Sequence, residues 1–323
     1  MGPLTLLGFA LLWAGLGRAE VVPDFSTCKQ FFYGGTEPQG FNHTQQAKIC
    51  QKYENQHHFA TLYDKQSRIP VWSAYTLHAG KCSKKTSETW KVEPQLSGEQ
   101  EKEMKMERDV RNKTALKNNQ ATHADYEKTG YDRGHLNPSS FQCNEGQNAT
   151  YTLTNAAPMD PCFNRDRWSE LERNLKNQLT KNCTEQQGKA FLVTGVVPNT
   201  RQYKIPIEKN DQRRGKVQDA SRVVVPSHVW TAVCCEHSTN NKKFSFAFLG
   251  VNTPGKILES LNITELNQRL RELYKAPSIQ LFKDDCNENS RLSKDVLSEI
   301  TKELLDDPTP DWTEQDPKRK KYQ

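Results

Sequence analysis

Beyond residue 17 the chain has no apolar run long enough to cross a bilayer, so its body predicts no membrane helix. It also has no Cys-x-x-Cys pair. Cys234-Cys235-Glu236-His237 is dense in metal-binding residue types, but adjacent strand residues point to opposite faces, and structural zinc is not expected there. No internal repeat is present, which excludes solenoid and propeller arrays. Charge of one sign is not in large excess either: 45 basic and 39 acidic side chains leave +6, too little to argue for a polyanionic partner by itself. With 34% hydrophobic and 26% charged residues, the composition is that of a soluble globular protein with much polar surface. The 323 residues suffice for one large domain or two modest ones.

The N-terminus is the exception to this polarity. Met1 to Gly17 is apolar through Leu4, Leu6, Leu7, Phe9, Leu11, Leu12 and Trp13, and Gly17-Arg18-Ala19 supplies small residues at cleavage-site spacing. The run lacks an N-terminal Lys or Arg, yet it reads as a signal peptide cleaved after Ala19 rather than as a buried helix. Nine cysteines follow, at 28, 50, 82, 143, 162, 183, 234, 235 and 286, as expected for disulfides in an oxidising compartment. An odd number leaves at least one outside an intrachain pair. Sequons at Asn42, Asn112, Asn148, Asn182 and Asn262 fit a lumenal route. The expectation is a secreted glycoprotein with no membrane span in the mature chain.

The pattern of elements predicts an α+β fold: a single mixed domain with a central antiparallel sheet and peripheral helices. Residues 20–64 read as a cysteine-containing arm, with little regular structure over Val21 to Gln56, where Gly34-Gly35, Pro38 and Gly40 punctuate it. The main domain is placed at 65–305 and a basic-ended disordered tail at 306–323. Strands are expected at Arg68–Leu77, Ala190–Val197, Ser221–Cys235 and Lys242–Val251, with a further candidate at Ser278–Phe282. Helical spacing of Leu residues predicts helices over 164–181, 258–275 and 292–305. The charged stretch Glu99–Gln120 reads as a solvated surface segment, and Arg213-Arg214-Gly215-Lys216 as a basic loop.

Between Tyr131 and Glu172 the chain concentrates residues suited to phosphodiester hydrolysis. That chemistry needs a base for the attacking water, a cation on the phosphate and a stabiliser of the leaving oxygen. His135, with an ordinary pKa near 6.5, suits the base. Magnesium takes oxygen ligands and keeps much of its water, so Asn164 with substrate oxygens could hold it, with Glu172 on the same helix face. Arg133 offers a planar donor fork for phosphate, and Asn155 could orient a phosphate oxygen. Gly134 is expected to let the backbone bend between Arg133 and His135, and Asp132 to bond local backbone and fix the turn presenting His135.

The segment TGYDRGHLNPSS resembles the Asp-Arg-Gly-His motif of the DNA/RNA non-specific endonucleases, a ββα-metal-finger family. TNAAPMDPCFNRDRWSELE is similar to the second half of their pattern, with Asn155, Asn164, Trp168 and Glu172 in register. Weaker likeness runs through VWSAYTL, AFLVTGVVP, VVVPSHVW and FAFLGVNTP, covering about Arg68 to Phe282. Signal peptide, cysteines and length are similar to those of secreted members of the family. The resemblance implies a ββα-metal site with His135 as general base, Asn164 as direct ligand of Mg2+ (Mn2+ as its substitute), and Glu172 acting through metal-bound water. It also implies Arg133 and Asn155 at the phosphate, and DNA and RNA as substrates. Relatives often carry an Arg two residues before a Trp; here Glu88 precedes Trp90, with Lys84 or Lys85 as substitute cations and Lys176 where another Arg is common. The alternative expectation is therefore a secreted nucleic-acid binder of the same fold with weak or no hydrolysis.

Overall fold

The computed structural model describes residues 20–41, 45–80, 82–83, 87–199, 203–207, 220–239, 242–255 and 258–306. The apolar N-terminal run, the sequon at Asn42, Lys84, Lys85, the basic loop at 213–216 and the tail from 307 lie outside them.

In chain order the strands are β1 (Val21–Val22), β2 (Gln46–Tyr53), β3 (Gln56–Asp64), β4 (Ile69–Thr76), β5 (Asp132–His135), β6 (Ala156–Met159), β7 (Lys189–Pro198), β8 (Lys204–Ile205), β9 (Val223–Val224), β10 (Pro226–Glu236), β11 (Phe244–Val251) and β12 (Leu258–Leu261). The helices are α1 (Lys113–Asn119), α2 (Asn144–Thr150), α3 (Ser169–Asn182), α4 (Ile263–Tyr274) and α5 (Arg291–Asp306). Eight strands form one antiparallel sheet in the order β1-β2-β3-β4-β7-β10-β11-β12, while β5 pairs only with β6. The fold is thus α+β, a mixed domain around a large antiparallel sheet.

Period-two alternation sends side chains to two cores. On β10, Val229 and Val233 face one core while Trp230, Ala232 and Cys234 face the other; on β11, Phe244, Phe246 and Phe248 oppose Ala247 and Leu249. The first core is roofed by α3 and α5, through Leu171, Leu175, Leu179, Val296 and Ile300. The second is roofed by α4 and by the N-terminal segment carrying Phe25, Phe31 and Phe32. With both faces covered, the central strands read as nearly continuous apolar runs.

Cys234 and Cys235 show the same alternation in covalent form. Cys235 reaches Cys183 at the end of α3, and Cys234 reaches Cys286 on the opposite face. The remaining bridges are Cys28–Cys50 and Cys82–Cys143; Cys162 takes part in no disulfide. Both cysteines of the dense cluster are therefore consumed by disulfides, which agrees with the expectation against zinc.

Several expectations need correction. The segment 20–64 is not an irregular arm, because β2 and β3 run through it and pair along their length. Polar residues such as Gln46 and Lys48 hid β2: it lies next to the sheet edge, where only the two-residue β1 covers it. The stretch 258–275 begins as β12 and turns helical only after Asn262, whose side chain caps α4 in a reciprocal bond with Glu265. Ser278–Phe282 contributes only a single bridge, from Gln280 to Gln39. The charged stretch from Glu99 is anchored by buried Met104, Val110 and Leu116.

Gly134 is needed for packing rather than for a bend. It lies within β5, and a Cβ there would land on the Met159 side chain of the paired strand. Gly134→Ala is expected to cost about 1–3 kcal/mol by overpacking, read as a lowered denaturant midpoint; an unchanged midpoint would contradict this account.

Candidate active site

The hairpin β5–β6 and the helix after it form a ββα unit. The helix starts where Asp160 Oδ1 accepts the backbone N–H groups of Cys162 (2.9 Å) and Phe163 (3.3 Å), an N-terminal cap. Asn252 ties this corner to the main sheet: its Oδ1 accepts Asp160 N at 2.8 Å, and its Nδ2 donates to the Pro158 and Pro226 carbonyls. Phe163–Trp168 is a π turn, in which Ser169 N reaches back to the Asn164 carbonyl. In an ideal α-helix, residues eight apart stand roughly 80° apart around the axis. The wider π turn underwinds that step and brings Glu172 nearer the face that carries Asn164.

Asp132 joins hairpin to helix. Its Oδ2 accepts Asn164 Nδ2 at 3.0 Å and Arg165 Nε at 2.8 Å, and its Oδ1 accepts Arg165 Nη2 at 2.5 Å. It therefore does more than stabilise a local turn. With Nδ2 committed to a carboxylate, the Asn164 amide has a fixed orientation, and Oδ1 remains as its acceptor for a further partner.

Arg133 and His135, two residues apart, project to one face of β5 and both meet Trp90. The His135 ring lies 4.7 Å from Trp90 and 4.8 Å edge-on to Tyr151. Its Nε2 is out of solvent with no hydrogen-bond partner, and burial pushes its pKa down to about 4. The imidazole is accordingly neutral at physiological pH. The Arg133 guanidinium lies over Trp90 and Tyr126 at 5.9 and 5.5 Å and donates weakly to the His123 carbonyl (3.4 Å), while its Nε is buried without a partner. Each of the two side chains thus keeps a nitrogen unspent.

Asn155 is placed otherwise than as a phosphate contact. Fully buried, it accepts from Ser73 Oγ and Asn137 N and donates to the Asn137 and Thr150 carbonyls, so its amide capacity is used internally. Its own carbonyl accepts Leu136 N, next to His135. Lys176 Nζ donates to the Ser140 carbonyl at 2.6 Å. Glu88 is exposed, whereas Trp90, two residues on, forms the wall of the site.

Burial raises the Glu172 carboxyl to about 8, only partly offset by the Trp168 indole. With a folded pKa above the unfolded one, Glu172 favours folding below about pH 4.5, and that contribution is lost as pH rises through about 8. Glu172→Gln should therefore raise the thermal midpoint of the metal-free protein at pH 8.5 by a few degrees, of order 5 °C, with little change at pH 4.5. Equal shifts at both pH values would refute the assignment.

The donor set fits a hard, hydrated divalent cation: one oriented amide oxygen and one carboxyl whose pKa burial raises. Among the described residues no group of three or more His, Cys, Asp or Glu side chains stands ready as a metal cage. A cation that keeps most of its water needs no such cage.

Trp90, Tyr126, Tyr151, Asp132 and Asp160 went unrecognised as site residues in the sequence. Only Asp160, an Asp shortly before a helical pattern, carries a readable local signal; Trp90 comes from a distant segment, and nothing in the local pattern marks Tyr126 or Tyr151.

A hairpin bearing Arg133 and His135, followed by a helix bearing Asn164 and Glu172, has the order of a ββα unit. The sequence profile of the DNA/RNA non-specific endonucleases matches residues 37–284, and the chain belongs to that family. It is 28% identical over 310 residues to the human Endonuclease domain-containing 1 protein, covering 93% of this chain and 57% of that protein. To its mouse counterpart it is 30% identical over 291 residues, covering 87% and 52%. The chain therefore spans about half the length of these curated relatives. Human mitochondrial Endonuclease G is 27% identical over 120 residues, covering 36% of this chain and 37% of that one. Among solved structures, a chain of the EndoG/EndoGI complex aligns with a TM-score of 0.47 and 17% identity, over 77% of this chain and 89% of that one.

Proposed function

We propose that this chain is a secreted, magnesium-dependent endonuclease that cleaves DNA and RNA without sequence preference, with manganese able to replace magnesium. The observation that carries the reading is the clamp by Asp132, the residue before Arg133 in β5, which commits Asn164 Nδ2 and leaves Oδ1 as the acceptor. Asn164 would hold the cation, and Glu172 its water shell. When bound, the cation neutralises charge on the scissile phosphate. Neutral His135 takes the proton of the attacking water through Nε2. Arg133, propped by Trp90 and Tyr126, meets the phosphate with its remaining N–H groups. Asn155 is a positioning residue that fixes the backbone after His135. The four disulfides support passage through an oxidising compartment. Among the described residues no helix is long and apolar enough to cross a membrane.

The test is digestion of plasmid DNA and of RNA by the purified protein with magnesium or EDTA. Cleavage of both polymers with magnesium, and its loss with EDTA, is the expected outcome. Retention of DNA without product by a folded protein, across a broad pH range, would favour the binding reading that exposed Glu88 motivates.

A further inference from the structure

A second group of titratable side chains lies apart from this site. Glu20, Gln51 and Glu93 are each 0% exposed, and Glu20 Oε2, Gln51 Oε1 and Glu93 Oε2 have no hydrogen-bond partner. The Glu20 carboxyl feels the Glu93 charge, and Gln51 Nε2 donates to Thr154 Oγ1, which in turn donates to Glu93 Oε1. Three buried acceptors in one network lack a donor, and a buried orphan of this kind carries a large desolvation cost.

We propose that Glu20 is the mature amino terminus and that its α-ammonium, created by cleavage after Ala19, is the donor and counter-charge of this buried network. The main chain of Glu20 is already held for that role. Its N and that of Val21 both donate to Gln95 Oε1, at 2.9 and 2.7 Å, and its carbonyl accepts Cys50 N at 2.8 Å. Its side-chain Oε1 accepts Lys52 N at 2.8 Å, folding the carboxyl back beneath the strand. As an internal peptide, Glu20 N supplies one N–H, and Gln95 takes it. Hydrolysis of the Ala19–Glu20 bond by water leaves the carboxyl on the leader and an amine that binds a proton, giving three N–H donors and one positive charge.

Charge balance points the same way. Burial, then mutual repulsion, raises the Glu20 carboxyl; burial also raises that of Glu93, with Lys91 opposing, while Glu103 adds to the repulsion on Glu20. Neither nearby lysine closes on the pair: Lys91 Nζ donates to the Thr89 and Asn148 carbonyls, and Lys52 Nζ lies 3.8 Å from Glu103. An ammonium at Glu20 supplies the positive charge that neither lysine brings to the pair. Glu93 Oε1 also accepts the Thr152 and Thr154 hydroxyls at 3.0 and 3.1 Å, so the terminus would brace the turn that ends in Asn155.

The experiment uses the secreted protein and reads stability, so it does not depend on nuclease activity. Mass measurement should place the first residue at Glu20. A two-residue extension ahead of Glu20 should lower the thermal midpoint at pH 7 by about 5 °C, and in a Glu93→Gln background the extension should shift it by less than about 1 °C. Should Glu93→Gln fail to fold, acylation of the α-amine serves instead, with at least about tenfold slower labelling in the native than in the unfolded wild type. A different first residue, an extension without effect, a shift that persists in Glu93→Gln, or native labelling as fast as unfolded would each overturn the proposal. So would a midpoint raised by calcium and indifferent to the extension, which would put a metal ion in the ammonium's place.

Discussion

His135→Ala should lower magnesium-dependent cleavage by about 10³-fold, inside the span of 10²–10⁴ that a positioned general base contributes. The imidazole is neutral at physiological pH, its Nε2 is spent on no protein partner, and two aromatic rings hold it in place. Removing it opens a gap between Trp90 and Tyr151 that costs on the order of 2 kcal/mol, which four disulfides should tolerate. The near-ultraviolet circular dichroism of the secreted variant would confirm that the fold survives. The pH profile provides an independent check. A folded pKa depressed to about 4 means that the neutral base is present well below pH 6.5, and that its contribution to native stability, full above about pH 6.5, is lost as pH falls to about 4. At saturating magnesium, which removes the Glu172 proton from competition, the acid limb of kcat/KM should lie below pH 6.5. A limb at or above 6.5, or a variant that cuts at the wild-type rate, would assign the base elsewhere.

Such a site was only partly legible in the sequence. The helix bearing Asn164 and Glu172 could be read because Trp168, Leu171, Leu175 and Leu179 recur with its period, and the observed helix spans 163–182. The buried strands β4, β7, β10 and β11 could be read because both their faces are covered, so β-branched and aromatic residues dominate them. What escaped was whatever depends on tertiary partners. β2 hides behind polar edge residues. The π turn depends on a Ser169–Asn164 bond that no spacing rule announces. Asn155 belongs to the motif, but its four hydrogen bonds come from Ser73, Asn137 and Thr150, so motif membership alone could not separate a contact from a brace. Asp132, ahead of Arg133-Gly134, has the sequence context of a local turn former, yet its partners lie more than thirty residues onward.

Asp132 accordingly carries the second large effect. Asp132→Ala should raise the magnesium concentration for half-maximal cleavage by about 10–100-fold, the usual cost of losing a group that orients a metal ligand. Asn164 can present either oxygen or nitrogen to a cation, and only oxygen binds one. A carboxylate at 3.0 Å from Nδ2 settles the choice, because the flipped amide would set oxygen against oxygen. Without Asp132 the amide is free to rotate, and part of any binding energy goes into restoring its orientation. The carboxylate also binds Arg165, so a loss of affinity could come from that ion pair instead. Two further variants separate the causes. If the clamp on Asn164 matters, Asp132→Ala combined with Asn164→Ala should be no worse than Asn164→Ala alone, and Arg165→Ala should change the magnesium requirement by less than about threefold. If Arg165→Ala instead reproduces the full effect, the ion pair holds the site and the amide argument fails. Because the readout is a magnesium titration of the cleavage rate, a change in kcat at saturating metal would register separately and would point to misplaced phosphate rather than a misoriented ligand.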